Sequence, residues 1–145
     1  MGYIPRLLHV LEEDLDVIYG SFRGHRNIFP HVRKDYLKRE ILSGNVIHDY
    51  GTILIYKQYQ KKTQLGDVYA QKGDWILKQI LRTDDDGSPT KVLSRFIDAI
   101  DTRLFLTVRT ENTRAIRFYQ KLGLTKVGNI TWSNGTIDGD VWSIA

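Results

Sequence analysis

Apolar positions along the chain repeat at spacings that name its elements. Leu11, Leu15, Ile18 and Phe22 recur every three or four residues, which predicts a helix over residues 12–22 with acids in its first turn. Residues 3–10 before it read as a strand, and GHRNIFPH after it as a loop. A second helix is predicted over residues 32–42, with Leu37 and Ile41 one turn apart and Ser43-Gly44 closing it; the two helices are expected to pair. The rhythm then changes. Residues 46–48 and 52–60 are rich in β-branched and aromatic side chains around Asp49-Tyr50-Gly51, which predicts two strands and a turn. Residues 61–74 are polar and turn-rich, a loop or a short irregular hairpin, and WILKQIL at 75–81 is a strand apolar enough to be central.

Beyond the turn at residues 82–88, Val92, Leu93, Phe96, Ile97 and Ile100 return to helical spacing, with Ser88 placed as N-cap and Pro89 at the first helical position. A strand at 103–108, a helix at 113–122 ended by Gly123, and a hairpin of 125–132 and 139–144 around Ser133-Asn134-Gly135 complete the order. Strands and helices so mixed make an α/β chain, and the strand–helix–strand unit around residues 82–88 should be parallel and right-handed.

Composition narrows the class. The chain has 145 residues, 41% hydrophobic and 11% aromatic, which fits one globular domain over 1–145. It has no cysteine, so a disulfide framework and a thiolate zinc site are excluded, and a reducing compartment is the natural one. The four histidines and the scattered aspartates show no ligand spacing, so no metal is assigned. With no apolar run near the ~18 residues of a membrane span and no signal-peptide core, a soluble, cytoplasmic protein without a membrane partner is expected. Charge is distributed unevenly. Six Lys/Arg against two acids between residues 23 and 40 account for the whole net charge of +4. An excess confined to a segment that also holds His25 and His31 is either a solvated helix face or the footprint of an acidic partner.

The stretch LTVRTENTRAIRFYQKLGLTKVG, residues 106–128, carries Asn112, Ala115, Tyr119, Lys121, Gly123 and Leu124 in the pattern N-x-x-A-x-x-x-Y-x-K-x-G-hydrophobic. With the element order, it resembles the GCN5-related N-acetyltransferase (GNAT) superfamily. The resemblance implies a mixed, largely antiparallel twisted sheet of six to seven strands flanked by about four helices, and an acetyl-coenzyme A or related acyl-thioester donor. The family's pyrophosphate loop, [QR]-x-x-G-x-[GA], falls on Asp84-Asp85-Asp86-Gly87-Ser88-Pro89. One glycine remains there, and an acid stands where Arg or Gln is usual.

On this alignment Gly87, Ser88, Thr90 and Lys91 hold the donor's pyrophosphate, a backbone N–H near Ile80 and Leu81 faces the thioester carbonyl, and Asn112 and Ala115 lie in the donor motif. Three aspartates argue the other way, by repelling phosphate. Tyr119 matches the family's general acid; a phenol with pKa about 10 can protonate a thiolate whose conjugate acid lies near 8.5. Its alternative is a core aromatic beside Phe118. His48 is the candidate base, with Asp74 as another, since His titrates in the useful range. Asp138 and Asp140 are either cation-binding or turn residues. Arg23, His25, Arg26, His31 and Arg33 border the acceptor site of the family and favour an anionic acceptor such as nucleic acid. Phage DNA-modification proteins of the Mom type are similar in fold and size. A degenerate, non-catalytic member of the fold that binds nucleic acid or protein is the alternative of a different class.

Overall fold

The computed structural model describes residues 10–25 and 32–144; the predicted first strand lies outside them apart from Val10. In chain order the elements are a 3-10 turn Glu12–Asp14, α1 Leu15–Arg23, α2 Lys34–Leu42, β1 Val46–Asp49, β2 Thr52–Gln58, β3 Thr63–Leu65, β4 Val68–Ala70, β5 Trp75–Arg82, α3 Pro89–Ala99, β6 Leu104–Arg109, α4 Thr113–Lys121, β7 Thr125–Trp132 and β8 Ile137–Ile144. Six strands are hydrogen-bonded in the order β1-β2-β5-β6-β8-β7, while β3 and β4 form a two-stranded sheet of their own. Within the six, β5 and β6 are parallel and β1–β2, β6–β8 and β7–β8 antiparallel. This is the mixed, largely antiparallel sheet with four helices that the resemblance implies.

The chain divides into two compact units. The first takes in α1, α2, β1, β2 as far as Tyr56, β5 from Lys78 and α3. Its core joins Ile18 and Phe22 of α1 to Leu37 and Ile41 of α2, and these to Val46, Ile53, Ile55 and Leu81 of the strands. The helix pair forms as expected, with one correction: Leu11 is 59% exposed. It precedes the 3-10 turn in extended conformation (φ −95°, ψ 160°), so it never joins the apolar stripe. The β1–β2 register pairs Asp49 with Thr52 and leaves a two-residue loop. Tyr50 (φ 47°) and Gly51 (φ 59°) are both left-handed, the geometry whose twist matches a hairpin.

The second unit holds β3, β4, the start of β5, β6, α4, β7 and β8. The polar stretch at 61–74 is an ordered hairpin, because Leu65 and Ala70 turn into a core with Tyr59, Phe105 and Val141. Its tip needs glycine twice over. Gly66 has φ 59°, and a Cβ there would collide with the carbonyl oxygen of Asn129. Asp67 completes the anchor: its N–H donates to Asn129 O (3.0 Å) and its Oδ1 accepts from Asn129 N–H (2.8 Å).

Candidate functional site

The turn before α3 is built by short-range bonds. Ser88 Oγ accepts from Lys91 N–H at 3.2 Å, the N-cap that Ser-Pro specifies, and Gly87 N–H donates to Asp84 O at 3.1 Å. The β1–β2 loop seats against it. Ser88 N–H donates to Tyr50 O (2.7 Å), a Cβ on Gly87 would collide with Gly51 O, and one on Gly51 would lie 2.6 Å from the Asp84 carboxylate. Arg95 joins the same corner, 3.2 Å from both Asp49 Oδ2 and the Tyr50 hydroxyl, and its guanidinium and the Lys91 ammonium each lie 5.5 Å from the centre of the Tyr50 ring. Between Gly87 and Lys91, then, the backbone N–H groups of Gly87, Ser88 and Lys91 already have acceptors, and Pro89 has none to give. Thr90 N–H and the Lys91 ammonium are what this helix start offers an anion.

A second polar group lies on β5 and went unseen in the sequence. The parallel ladder with β6 consists of Trp75↔Leu104 and Ile76↔Phe105. Just past it, two consecutive residues, Lys78 and Gln79, both bond to side chains of α2. Tyr36 O–H donates to Gln79 Oε1 at 2.9 Å, and Lys78 Nζ sits 2.6 Å from Glu40 Oε1 and 4.9 Å from the Tyr36 ring centre. Asn45 Nδ2 donates to the other Glu40 oxygen at 3.0 Å. Burial raises the Tyr36 phenol, against the pull of Lys78. Burial alone would lower the Lys78 ammonium, but the Glu40 hydrogen bond and charge, with Tyr36, outweigh it and raise its pKa. Lys78 is therefore charged beside a neutral phenol. The available signal was Lys78-Gln79, two polar residues in an otherwise apolar strand.

The motif residues of α4 have local structural roles. Asn112 Oδ1 accepts from Ala115 N–H at 3.2 Å and caps the helix. At its other end Leu124 N–H donates to Tyr119 O and Gly123 N–H to Gln120 O, the paired closing bonds of a Schellman motif, with Gly123 at φ 94°. Tyr119 is half-buried and meets Phe118 edge-on, with ring centres 5.4 Å apart. Burial pushes its phenol up to about 12.

His48, Ile80, Leu81, Gly87, Ser88, Thr90 and Lys91 belong to the first unit, and Asn112, Ala115 and Tyr119 to the second. His48 is exposed, its Nε2 3.3 Å from Thr83 Oγ1. Leu81 is buried in the core, so only its backbone can serve a ligand. Two aspartates need correcting. Asp74 is buried and accepts from Gln71 N–H (2.7 Å), Arg103 N–H (3.2 Å) and the Arg103 guanidinium (3.0 Å), so it ties loops together rather than facing a substrate. Asp140 is likewise buried, held by the Thr110 hydroxyl (2.8 Å) and Lys126 (3.3 Å).

Among the acceptor candidates, Arg26 and His31 lie outside the described residues. Arg23 is exposed at the end of α1, and the half-buried His25 donates from Nδ1 to Ser21 O at 3.0 Å. Arg33 pairs with Asp35 (3.3 Å), Lys34 with Asp16 (2.6 Å) and Lys38 with Glu12 (3.6 Å). Carboxylates are thus interleaved with the basic segment's cations. Among the described residues no group of three or more His, Asp and Glu side chains is placed to hold a metal ion.

No protein-family model matches the chain, and no curated protein matches it significantly in sequence. Solved structures do match in fold. An acetyltransferase of the GNAT family from Bacillus cereus superposes with a TM-score of 0.64 at 17% identity over 94% of this chain and 93% of that one. An acetyltransferase from Thermus thermophilus gives 0.65 at 18% identity (94% and 93%), and Arabidopsis thaliana NAA60 in complex with acetyl-CoA gives 0.65 at 12% (93% and 94%). The protein has the GNAT fold. At these identities the likeness is one of fold, and function has to be argued from the residues.

Proposed function

We propose that the chain is an N-acyltransferase that moves an acetyl group, or a related acyl group, from coenzyme A to an amine. The observation that carries this reading is β5: within the GNAT fold it leaves its ladder with β6 after two residue pairs and runs into the Gly87 turn and the Ser88-capped α3. Donor binding at that helix start would use Thr90 N–H, the Lys91 ammonium and the helix dipole. The amine attacks the thioester carbon, the C–S bond breaks, and the Tyr119 hydroxyl donates a hydrogen bond to the departing thiolate. The amine's proton leaves to His48 or water. A backbone N–H group of residues 79–81 would serve the developing oxyanion.

For the acceptor, Arg23 and Arg39, exposed cations without a carboxylate partner among the described residues, support an anionic molecule such as nucleic acid, including a Mom-type role on DNA. The ion pairs of Arg33, Lys34 and Lys38 reduce that support. The absence of a long apolar helix among the described residues fits a cytoplasmic site of action.

A second reading, a non-catalytic module of the same fold, is favoured by the bonds that Gly87 and Ser88 N–H already make to Asp84 and Tyr50. Thermal unfolding with and without acetyl-coenzyme A separates the two. At about 100 times its dissociation constant the donor should stabilise by ~2.7 kcal/mol. No shift at millimolar donor would leave the non-catalytic reading.

A further inference from the structure

The β3–β4 hairpin has one face in the second unit's core and another left open. Cross-strand pairs share a face, so Leu65 with Val68 and Thr63 with Ala70 line the inner side, and Gln64 with Tyr69 the outer. Tyr69 is 48% exposed there, and Lys62 Nζ sits 4.7 Å from its ring centre. Lys61 and Lys72 lie beyond the last ladder pair, Thr63 with Ala70, in the segments that enter and leave the hairpin. All three lysines are exposed, and no ion pair engages them among the described residues.

Elsewhere Arg33, Lys34, Lys38, Lys78, Arg95 and Arg103 each have a carboxylate within ion-pair distance. Residues 57–73 hold four lysines and a single acid, Asp67, whose carboxylate is bonded to Asn129 at the tip. The nearest other carboxylate in sequence, Asp74, is turned inward onto Arg103. Beside the outer face, Gln64 also borders a groove of about 500 Å³ shared with Gly66, Asn129, Ile130 and Thr131.

We propose that the open end and outer face of this hairpin bind a single-stranded nucleic acid, with phosphates on Lys61, Lys62 and Lys72 at the open end, a base stacked on Tyr69, and the neighbouring base in the groove beside Gln64 and Asn129. Cations that follow a backbone beside an aromatic platform are the features that single strands need. The hairpin is preorganised for it: its apolar side is in the core, its tip is bonded twice to Asn129, and Arg103 reaches the Tyr69 carbonyl at 3.5 Å. A groove that sets the Gln64 and Asn129 amides and the Thr131 hydroxyl around the apolar Ile130 suits a base, with a flat apolar face and polar edges. The surface shares no residue with the segment 23–40, and the inference stands whether or not the chain transfers acyl groups.

The test is fluorescence anisotropy with a short labelled oligodeoxythymidylate, without acyl donor, between about 50 and 200 mM salt. Three neutralised phosphates give a logarithmic salt slope of about 2 for a single strand. Lys61→Ala, Lys62→Ala and Lys72→Ala together should lower affinity at least tenfold and flatten the slope. Tyr69→Ala should lower affinity at least about fivefold with the slope kept, and Tyr69→Phe should retain it. Because these side chains are exposed the variants should fold, which circular dichroism melts verify; the triple Gln variant gives a second measurement. The proposal is overturned if the wild type does not bind at 50 mM salt, or if the triple variant binds with unchanged affinity and slope. It is also overturned if Arg23→Ala/Arg39→Ala abolishes binding while the hairpin variants do not, or if phosphatidylserine vesicles displace the strand and Tyr69→Ala has no effect.

Discussion

Burial decides what individual side chains do here. Tyr119 sits in a sequence context that suggests a general acid, but its phenol is pushed up to about 12 by burial. It is therefore neutral at pH 7, and because a phenol raised this far is a weaker acid than a thiol of pKa about 8.5, it favours hydrogen-bonding the departing thiolate in the transition state over protonating it outright. In an acetyltransferase assay Tyr119→Phe should lower turnover by ~10²–10⁴ with donor affinity nearly unchanged; equal turnover would remove Tyr119 from the mechanism. The same shift has a stability consequence. A group whose folded pKa is raised stabilises the fold fully below its unfolded value, near 10, and that contribution is lost as pH rises toward 12. Urea titrations over this range should find Tyr119→Phe losing less stability than the wild type.

Glu40 and Lys78 give a further residue-scale expectation, because their side chains are only 13% and 27% exposed. Glu40→Gln leaves a half-buried ammonium without its counter-charge, and should cost about 1–3 kcal/mol in urea unfolding, whereas Lys78→Met/Glu40→Leu together should cost less. Gly123 was legible in the sequence since a helix stop is local, whereas Asn112 was read as a donor-motif residue and its capping of α4 was not. The Glu40–Lys78–Tyr36 group was not, because it joins α2 to a strand 38 residues away and nothing in either segment names the other.

Elements were read best where their end signals are chemical. Ser88 and Pro89 fixed the start of α3 to the residue, and the cap bond to Lys91 N–H accounts for it. Ser88→Ala should cost about 1 kcal/mol, read as a lower urea midpoint at constant slope. A long side chain at Gly87 is a poor probe of phosphate binding, since a Cβ there would already collide with Gly51 O and lie 2.7 Å from Arg82 Cγ. Gly87→Glu should unfold the turn first, and lose stability before any donor effect is readable. Asp85→Asn/Asp86→Asn is the cleaner variant: both side chains are exposed, and if acetyl-coenzyme A binds at this helix start, removing two negative charges should tighten it severalfold at low salt. Unchanged affinity would place the donor elsewhere. Helical period misplaced Leu11, because an amphipathic stripe says which residues are apolar and not where a 3-10 turn begins. In residues 61–74 the polar composition left a loop and a short hairpin open; the hairpin forms, with only Leu65, Val68 and Ala70 as apolar residues on its inner face.

At the scale of the molecule, the order of strands and helices was readable because each element carries its own period, while the surface was not, since charge in sequence says nothing of which carboxylate folds back onto which cation. The segment 23–40 shows this. Its positive excess equals the net charge of the chain, yet Glu12 and Asp16, which precede the segment, pair with Lys38 and Lys34, and Asp35 pairs with Arg33. Such exposed pairs contribute about 0–1 kcal/mol each, so salt should change stability little when they are screened. Their effect on binding is larger, because a cation beside its own carboxylate releases fewer counterions on meeting a phosphate. With Arg23 and Arg39 as the cations of α1 and α2 that no carboxylate engages among the described residues, duplex DNA on this face should show a logarithmic salt slope near 2, at roughly 0.9 per phosphate. Arg23→Ala/Arg39→Ala should bring that slope toward zero. A slope of 5 or more that survives the double substitution would mean that the paired lysines and Arg33 exchange their carboxylates for phosphates, and that the whole segment is a nucleic-acid interface.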